Sequence, residues 1–128
     1  DRTVVAYAGD GCFMMTAQEL STAVQYGLPI VVIVADNGMY GTIRMHQEKT
    51  YPGRVSGTSL INPDFAEFAR SFGAYGANVS ETAEFDKAFE EALACGGPAV
   101  IAVKLDAEAL TPAATLSDLR ALGERRTV

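Results

Sequence analysis

A chain of 128 residues, 48% hydrophobic and 20% charged, has the composition of one globular domain with a sizeable core. Ten basic against sixteen acidic residues give a formal charge of -6, which argues against a general nucleic-acid binder, because phosphate backbones are held by a surplus of Lys and Arg. No run of roughly 18 apolar residues occurs, so no membrane span is expected.

The opening Asp1-Arg2 leads straight into an apolar stretch, so no secretory leader is expected. Residues 3–8 read as a buried strand of β-branched type. A helix is expected over 16–26. Thr16 and Glu19 have capping-box spacing, Leu20 and Val24 form an i, i+4 apolar pair, and Gly27 is the stop. Pro29 introduces a second buried strand over 30–34. Residues 39–60 show no clear period and contain Pro52 and several glycines. They read as a long loop, of the kind that closes over a site when ligand binds. Asn62-Pro63 looks like a helix start, cap then proline, with Phe65, Phe68, Ala69 and Phe72 on a core-facing stripe and Gly73 as the end. A strand over 75–79, a helix over 82–94 with Phe85, Ala88, Phe89 and Ala92 on one face, and a buried strand over 99–105 follow. A short helix is expected at 117–122. Alternating strands and helices with right-handed crossovers predict a three-layer α/β/α sandwich with a mostly parallel sheet. Cys12 and Cys95 have no CxxC or metal spacing and fit a reduced, cytosolic chain.

Two polar hexapeptides follow the first two strands: Ala8-Gly9-Asp10-Gly11-Cys12-Phe13 and Ala35-Asp36-Asn37-Gly38-Met39-Tyr40. Open α/β sheets bind ligands just outside the carboxyl ends of their strands. One carboxylate and one carboxamide at two strand ends are hard oxygen donors, which suit Mg²⁺ held jointly by protein and substrate phosphates.

Gly9-Asp10-Gly11, the 24 residues from Cys12 to Ala35, and then Asp36-Asn37 resemble the thiamine diphosphate motif of the pyruvate decarboxylase, acetolactate synthase and benzoylformate decarboxylase superfamily. Gln18-Glu19-Leu20-Ser21-Thr22-Ala23 and the stretch from Asn37 to Arg44 are similar to it as well. The motif's paired asparagines become Asp36 and Asn37 here, a departure that adds a negative charge. The resemblance implies thiamine diphosphate and Mg²⁺ as cofactors. It places Asp10, Asn37 and the Met39 carbonyl on the metal, and Gly9, Asp10, Gly11, Cys12, Phe13, Asn37, Met39, Tyr40 and Gly41 around the cofactor. The backbone of Gly11, Cys12, Tyr40 and Gly41 would reach phosphate oxygens, and no side chain of this segment is catalytic.

The resemblance also implies a strand and helix ahead of Gly9, a separate pyrimidine-binding domain carrying a glutamate, and sites shared between two subunits. Residues 1–128 then form a single diphosphate-binding domain, the C-terminal piece of a longer homo-oligomeric enzyme and inactive alone. The implied reaction is nonoxidative decarboxylation or carboligation of a small 2-oxo acid, with no nucleic-acid or membrane partner. Met45-His46-Gln47 stands where acetolactate synthases carry a substrate-selecting tryptophan, and this chain has no Trp. His46 itself reads as a loop residue, Glu19 as a helix cap, Asp36 as an acceptor behind the metal site, and Arg44, Lys49 and Arg54 as solvated loop cations. Two other classes stand beside this reading. A Mg²⁺-dependent nucleotide or phosphotransfer domain would normally bring a P-loop, and no G-x-x-x-x-G-K-[ST] occurs. A noncatalytic interaction domain of the same fold would not need Asp10 and Asn37.

Overall fold

The computed structural model describes residues 2–126; Asp1, Thr127 and Val128, with which the expected lead-in begins and the C-terminal tract ends, lie outside the described residues. Strands β1 (Val4–Gly9), β2 (Ile30–Asp36), β3 (Tyr75–Val79) and β4 (Ala99–Lys104) alternate with helices α1 (Asp10–Thr16), α2 (Leu20–Gln25), α3 (Gly41–Thr50), α4 (Phe65–Ser71), α5 (Phe85–Ala94) and α6 (Leu116–Arg126). The chain divides into two compact units. One comprises the residues up to Asp36 together with Asn62–Lys104, and the other comprises Asn37–Ile61 together with the residues from Leu105 onward.

The first unit holds the sheet. Its strands run in the order β1-β2-β4-β3, all parallel, with Tyr7 opposite Ile33, Ile33 opposite Ile101 and Ala77 opposite Ile101. Strand side chains alternate between faces. Val32, Val34, Val100 and Ala102 therefore share one core with Phe13, Leu20, Phe65 and Ala69, while Val31, Ala99 and Ile101 share another with Ala88 and Ala92. Helices α1, α2 and α4 cover the first face and α5 the second, which is the expected three-layer α/β/α arrangement on a parallel sheet. Both phenylalanine stripes pack where the sequence places them, with Phe68, Phe72, Phe85 and Phe89 partly buried against these cores.

Two helix starts differ from expectation. The first helix begins at Asp10, six residues early, and reaches α2 through a 3-10 turn at Ala17–Glu19. Gly9 is extended and Asp10 already helical. The two glycines thus mark a strand-to-helix junction, where an acidic first-turn residue is favoured by the helix dipole. Thr16 caps nothing with its side chain; instead Thr22 Oγ1 donates to Glu19 Oε2 at 3.2 Å. The stop at Gly27 holds, with φ at +60° and the Leu28 N–H returning to the Ala23 carbonyl at 2.9 Å. Helix α4 is capped by Asp64, not Asn62: Asp64 Oδ1 accepts the Glu67 N–H at 2.9 Å.

In the second unit the expected loop over 39–60 is overturned, for Gly41–Thr50 is helical. The helix has no apolar stripe to give it a sequence period. Ile43 is exposed, and the residue it buries is Glu48, 1% exposed. Glu48 accepts from Arg44 Nε at 3.0 Å, Arg120 Nε at 2.9 Å, Arg120 Nη2 at 2.8 Å and the Gly53 N–H at 2.8 Å. Arg120 comes from α6, which runs longer in both directions than the sequence suggested. Past α3 the chain returns alongside its start: Thr58 and Gly38 carbonyls accept from Tyr40 and Leu60 N–H groups at 2.9 and 2.8 Å.

Helices α3 and α6 touch backbone to backbone at Gly123. A Cβ there would run into the Glu48 carbonyl oxygen and lie 3.0 Å from that of Lys49. Backbone cannot swing aside as a side-chain tip can. Gly123→Ala is therefore expected to cost about 1–3 kcal/mol, read as a lowered urea midpoint. Gly97→Ala, whose Cβ would meet open space, is the control that should barely move it.

Candidate functional site

The first unit contributes a polar cluster where β1 and β2 end. Asp10 follows the last residue of β1 and is 3% exposed. Its Oδ1 accepts the Gly11 N–H at 2.8 Å and its Oδ2 accepts from Asn62 Nδ2 at 2.8 Å. The same Asn62 nitrogen donates to Asp36 Oδ1 at 2.8 Å, and Lys104 Nζ lies 3.2 Å from Asp36 Oδ2. The charge added by Asp36 is thus met by two side-chain donors. Asn62, which the sequence reads as a helix cap, belongs to this cluster instead. A signal was present: Asp64 and Glu67 also have capping-box spacing, which places the cap at Asp64 and leaves Asn62 for other work.

Beside this cluster a cleft of about 240 Å³ opens at the carboxyl ends of β2, β3 and β4, lined by Asp36, Asp64, Asn78, Ser80 and Lys104 among others. The Glu67 N–H and the Asn78 amide hold the Asp64 carboxyl below the usual carboxylate range. Of the other candidates here, Gly9 leaves open space where a side chain would stand, Gly11 is buried and Cys12 is exposed. Phe13 sends its ring into the core, edge-to-face with Phe65 at 5.5 Å and Phe68 at 6.3 Å. Only its backbone is left for a ligand.

In the second unit, Asn37 directly follows β2. Its Oδ1 accepts the Met39 N–H at 3.1 Å, a turn of the Asx type, with Gly38 at φ +69°. Tyr40 is exposed and precedes Gly41, the first residue of α3. Gly41 is closely approached: an added Cβ would stand 2.9 Å from Asn37 Nδ2 and 3.0 Å from Leu110 Cδ2, so both side chains would have to shift. Arg44 is no solvated loop cation but a partner of Glu48, whose carboxyl its arginines and the Gly53 N–H hold down at about 2, Arg120 foremost and against the pull of burial. His46 is exposed on α3.

Among the described residues no group of three or more His, Cys, Asp and Glu could hold a metal ion. Asp10 in the first unit offers a carboxylate oxygen, and Asn37 and Met39 in the second a carboxamide and a carbonyl oxygen. Each is a hard oxygen donor, the kind that suits Mg²⁺ completing its shell with phosphate and water. Asp10 remains compatible with such a role, because a carboxylate has about four lone-pair sites and can accept N–H groups while facing a cation.

The ends of β1 and β2 thus carry an aspartate between glycines and an Asp-Asn-Gly turn. The family model described as thiamine pyrophosphate enzyme, C-terminal TPP binding domain matches residues 1–103, and the chain belongs to that family. The acetolactate synthase large subunit of Haemophilus influenzae is 42% identical over 91 residues, covering 70% of this chain and 16% of that protein. A putative thiamine pyrophosphate-containing protein of Bacillus subtilis is 40% identical over 113 residues, covering 88% and 19%. Among solved structures, benzoylformate decarboxylase from Polynucleobacter necessarius superposes with a TM-score of 0.79 at 32% identity, covering 87% of this chain and 21% of that one. The chain thus spans about a fifth or less of the length of these relatives.

Proposed function

We propose that this chain is the single diphosphate-binding domain of a longer, cytosolic and at least dimeric enzyme that decarboxylates or carboligates a small 2-oxo acid. The observation that carries the reading is the buried Asp10 carboxylate at the carboxyl end of β1, inside a chain whose first 103 residues match the family. In this reading Asp10, the Asn37 carboxamide and the Met39 carbonyl hold Mg²⁺. Gly9 and Gly11 keep the approach to Asp10 clear of side chains, and backbone N–H groups of Cys12, Tyr40 and Gly41 bind phosphate oxygens. The Gly11 N–H is committed to Asp10 in the structure, so its part in phosphate binding would require that bond to exchange. Phe13 contributes its backbone, its ring anchoring α1. Bound thiamine diphosphate supplies the electron sink that stabilises a carbanion. The chain's own residues anchor the anionic end of that cofactor. The names of the relatives, acetolactate synthase and benzoylformate decarboxylase, support a 2-oxo acid as substrate.

The test is carbon dioxide release by the full-length protein with thiamine diphosphate and Mg²⁺, offered pyruvate and benzoylformate in turn. Turnover of at least one is expected, and none by the 128-residue chain alone. A cofactor-loaded full-length protein that consumes neither, or a purified fragment that turns over, would overturn this assignment.

A further inference from the structure

Asn62 stands two residues ahead of the Asp64 cap of α4 and is half-buried. Its Nδ2 lies 2.8 Å from both Asp10 Oδ2 and Asp36 Oδ1. A primary amide nitrogen carries two hydrogens, and here each serves a different carboxylate. The amide has one sensible orientation, since its carbonyl end cannot face two carboxylate oxygens. Two carboxylates within reach of one nitrogen repel each other. Asn62 stands between them, and Lys104 Nζ offsets the outer one. The result is a continuous line, Lys104–Asp36–Asn62–Asp10, that ties the ends of β4 and β2 to the first residue of α1.

We propose that Asn62 is a positioning residue for the metal end of the cofactor. It fixes the Asp10 carboxylate directly, and through Asp36 it anchors the residue immediately before Asn37. The inference rests on the reading of Asp10 as a metal ligand. A ligand carboxylate that swings freely loses affinity, and partners that orient metal ligands are typically worth ten- to a hundredfold in metal binding.

The experiment titrates thiamine diphosphate into the full-length protein by calorimetry at stepped Mg²⁺ concentrations, alongside melting of the metal-free protein. Asn62→Leu removes both donors at similar volume; should it fail to fold, Asn62→Ala is read the same way. The Mg²⁺ concentration for half-saturation is expected to rise about tenfold or more. Bound Mn²⁺, substituted for Mg²⁺, should give a broadened electron paramagnetic resonance signal. A folded Asn62 variant with unchanged Mg²⁺ dependence overturns the proposal even if its melting temperature falls, for that is a purely structural role. Asp10→Asn, measured in parallel, separates the two claims. If it too leaves Mg²⁺ dependence unchanged, the ligand reading itself fails; if it weakens binding while Asn62→Leu does not, only the positioning role falls.

Discussion

Replacing Asp10 with alanine is expected to abolish productive binding of thiamine diphosphate with Mg²⁺ to the full-length protein, weakening it at least a hundredfold, about 2.7 kcal/mol. A chain of net charge -6 must accept a doubly anchored anion, and the divalent ion is what reconciles the two. Mg²⁺ takes few protein ligands, so losing the one carboxylate among them removes most of the protein's electrostatic hold on it. Asp10 is also buried and bonded to Gly11 and Asn62, and Asp10→Ala strands the Asn62 amide. The isosteric Asp10→Asn keeps the shape and removes the charge, and it should lie between the two. Calorimetry on wild type and both variants checks this; equal affinities would remove Asp10 from the metal shell.

Glu48→Gln is expected to cost the protein about 3–5 kcal/mol, the usual penalty for removing one partner of a buried ion pair. The carboxylate is 1% exposed and serves two arginines and one backbone N–H. The amide keeps the volume but leaves the guanidinium groups of Arg44 and Arg120 without their counter-charge. The same cluster gives the protein an acid signature. Its folded pKa of about 2 lies below the ordinary 4.5, so the unfolded chain takes up a proton first as pH falls. The stability the cluster contributes is complete above pH 4.5 and drains away between there and about 2, roughly 3 kcal/mol in all. Asp64, Glu84 and Asp118 also have lowered values, through hydrogen bonds they accept from backbone N–H groups. The informative quantity is therefore the difference between wild type and variant. Urea unfolding from pH 6 to 2.5 should show that difference shrinking as pH falls; a gap that stays constant would mean that Glu48 holds its position by shape alone.

The central strands were legible because burial on both faces selects unbroken apolar runs, as in Ile30-Val31-Val32-Ile33-Val34; β1, expected to be buried, is an edge strand of this sheet with Val4, Val5 and Tyr7 exposed. Helices α4 and α5 were legible from aromatic and alanine stripes. Helix α3 was not, since a helix that buries a glutamate and rests on a glycine of another helix carries no hydrophobic period for the eye to find. The Gly-Asp-Gly and Asp-Asn-Gly segments stood out through spacing, and the structure places Asp10 directly after a strand end. What spacing could not give is the company Asp10 keeps. Asn62 is 52 positions away, and Lys104 reaches Asp36 across 68. Contacts of that range depend on strand order, which no local pattern encodes.

The family match stops at residue 103, yet the second unit is assembled from two separated stretches, only one of which lies inside it. Arg120 and Gly123, the neighbours on which Glu48 and α3 depend, both fall beyond the match. A gene trimmed at the boundary suggested by the matched segment would keep every expected ligand and all of the sheet but Lys104, the last residue of β4 and the partner of Asp36. It would also strip Glu48 of both Arg120 hydrogen bonds, leaving it only Arg44 and the Gly53 N–H. The stretch that must travel together in any domain swap, fusion or truncation is therefore longer than the stretch that carries the family's likeness.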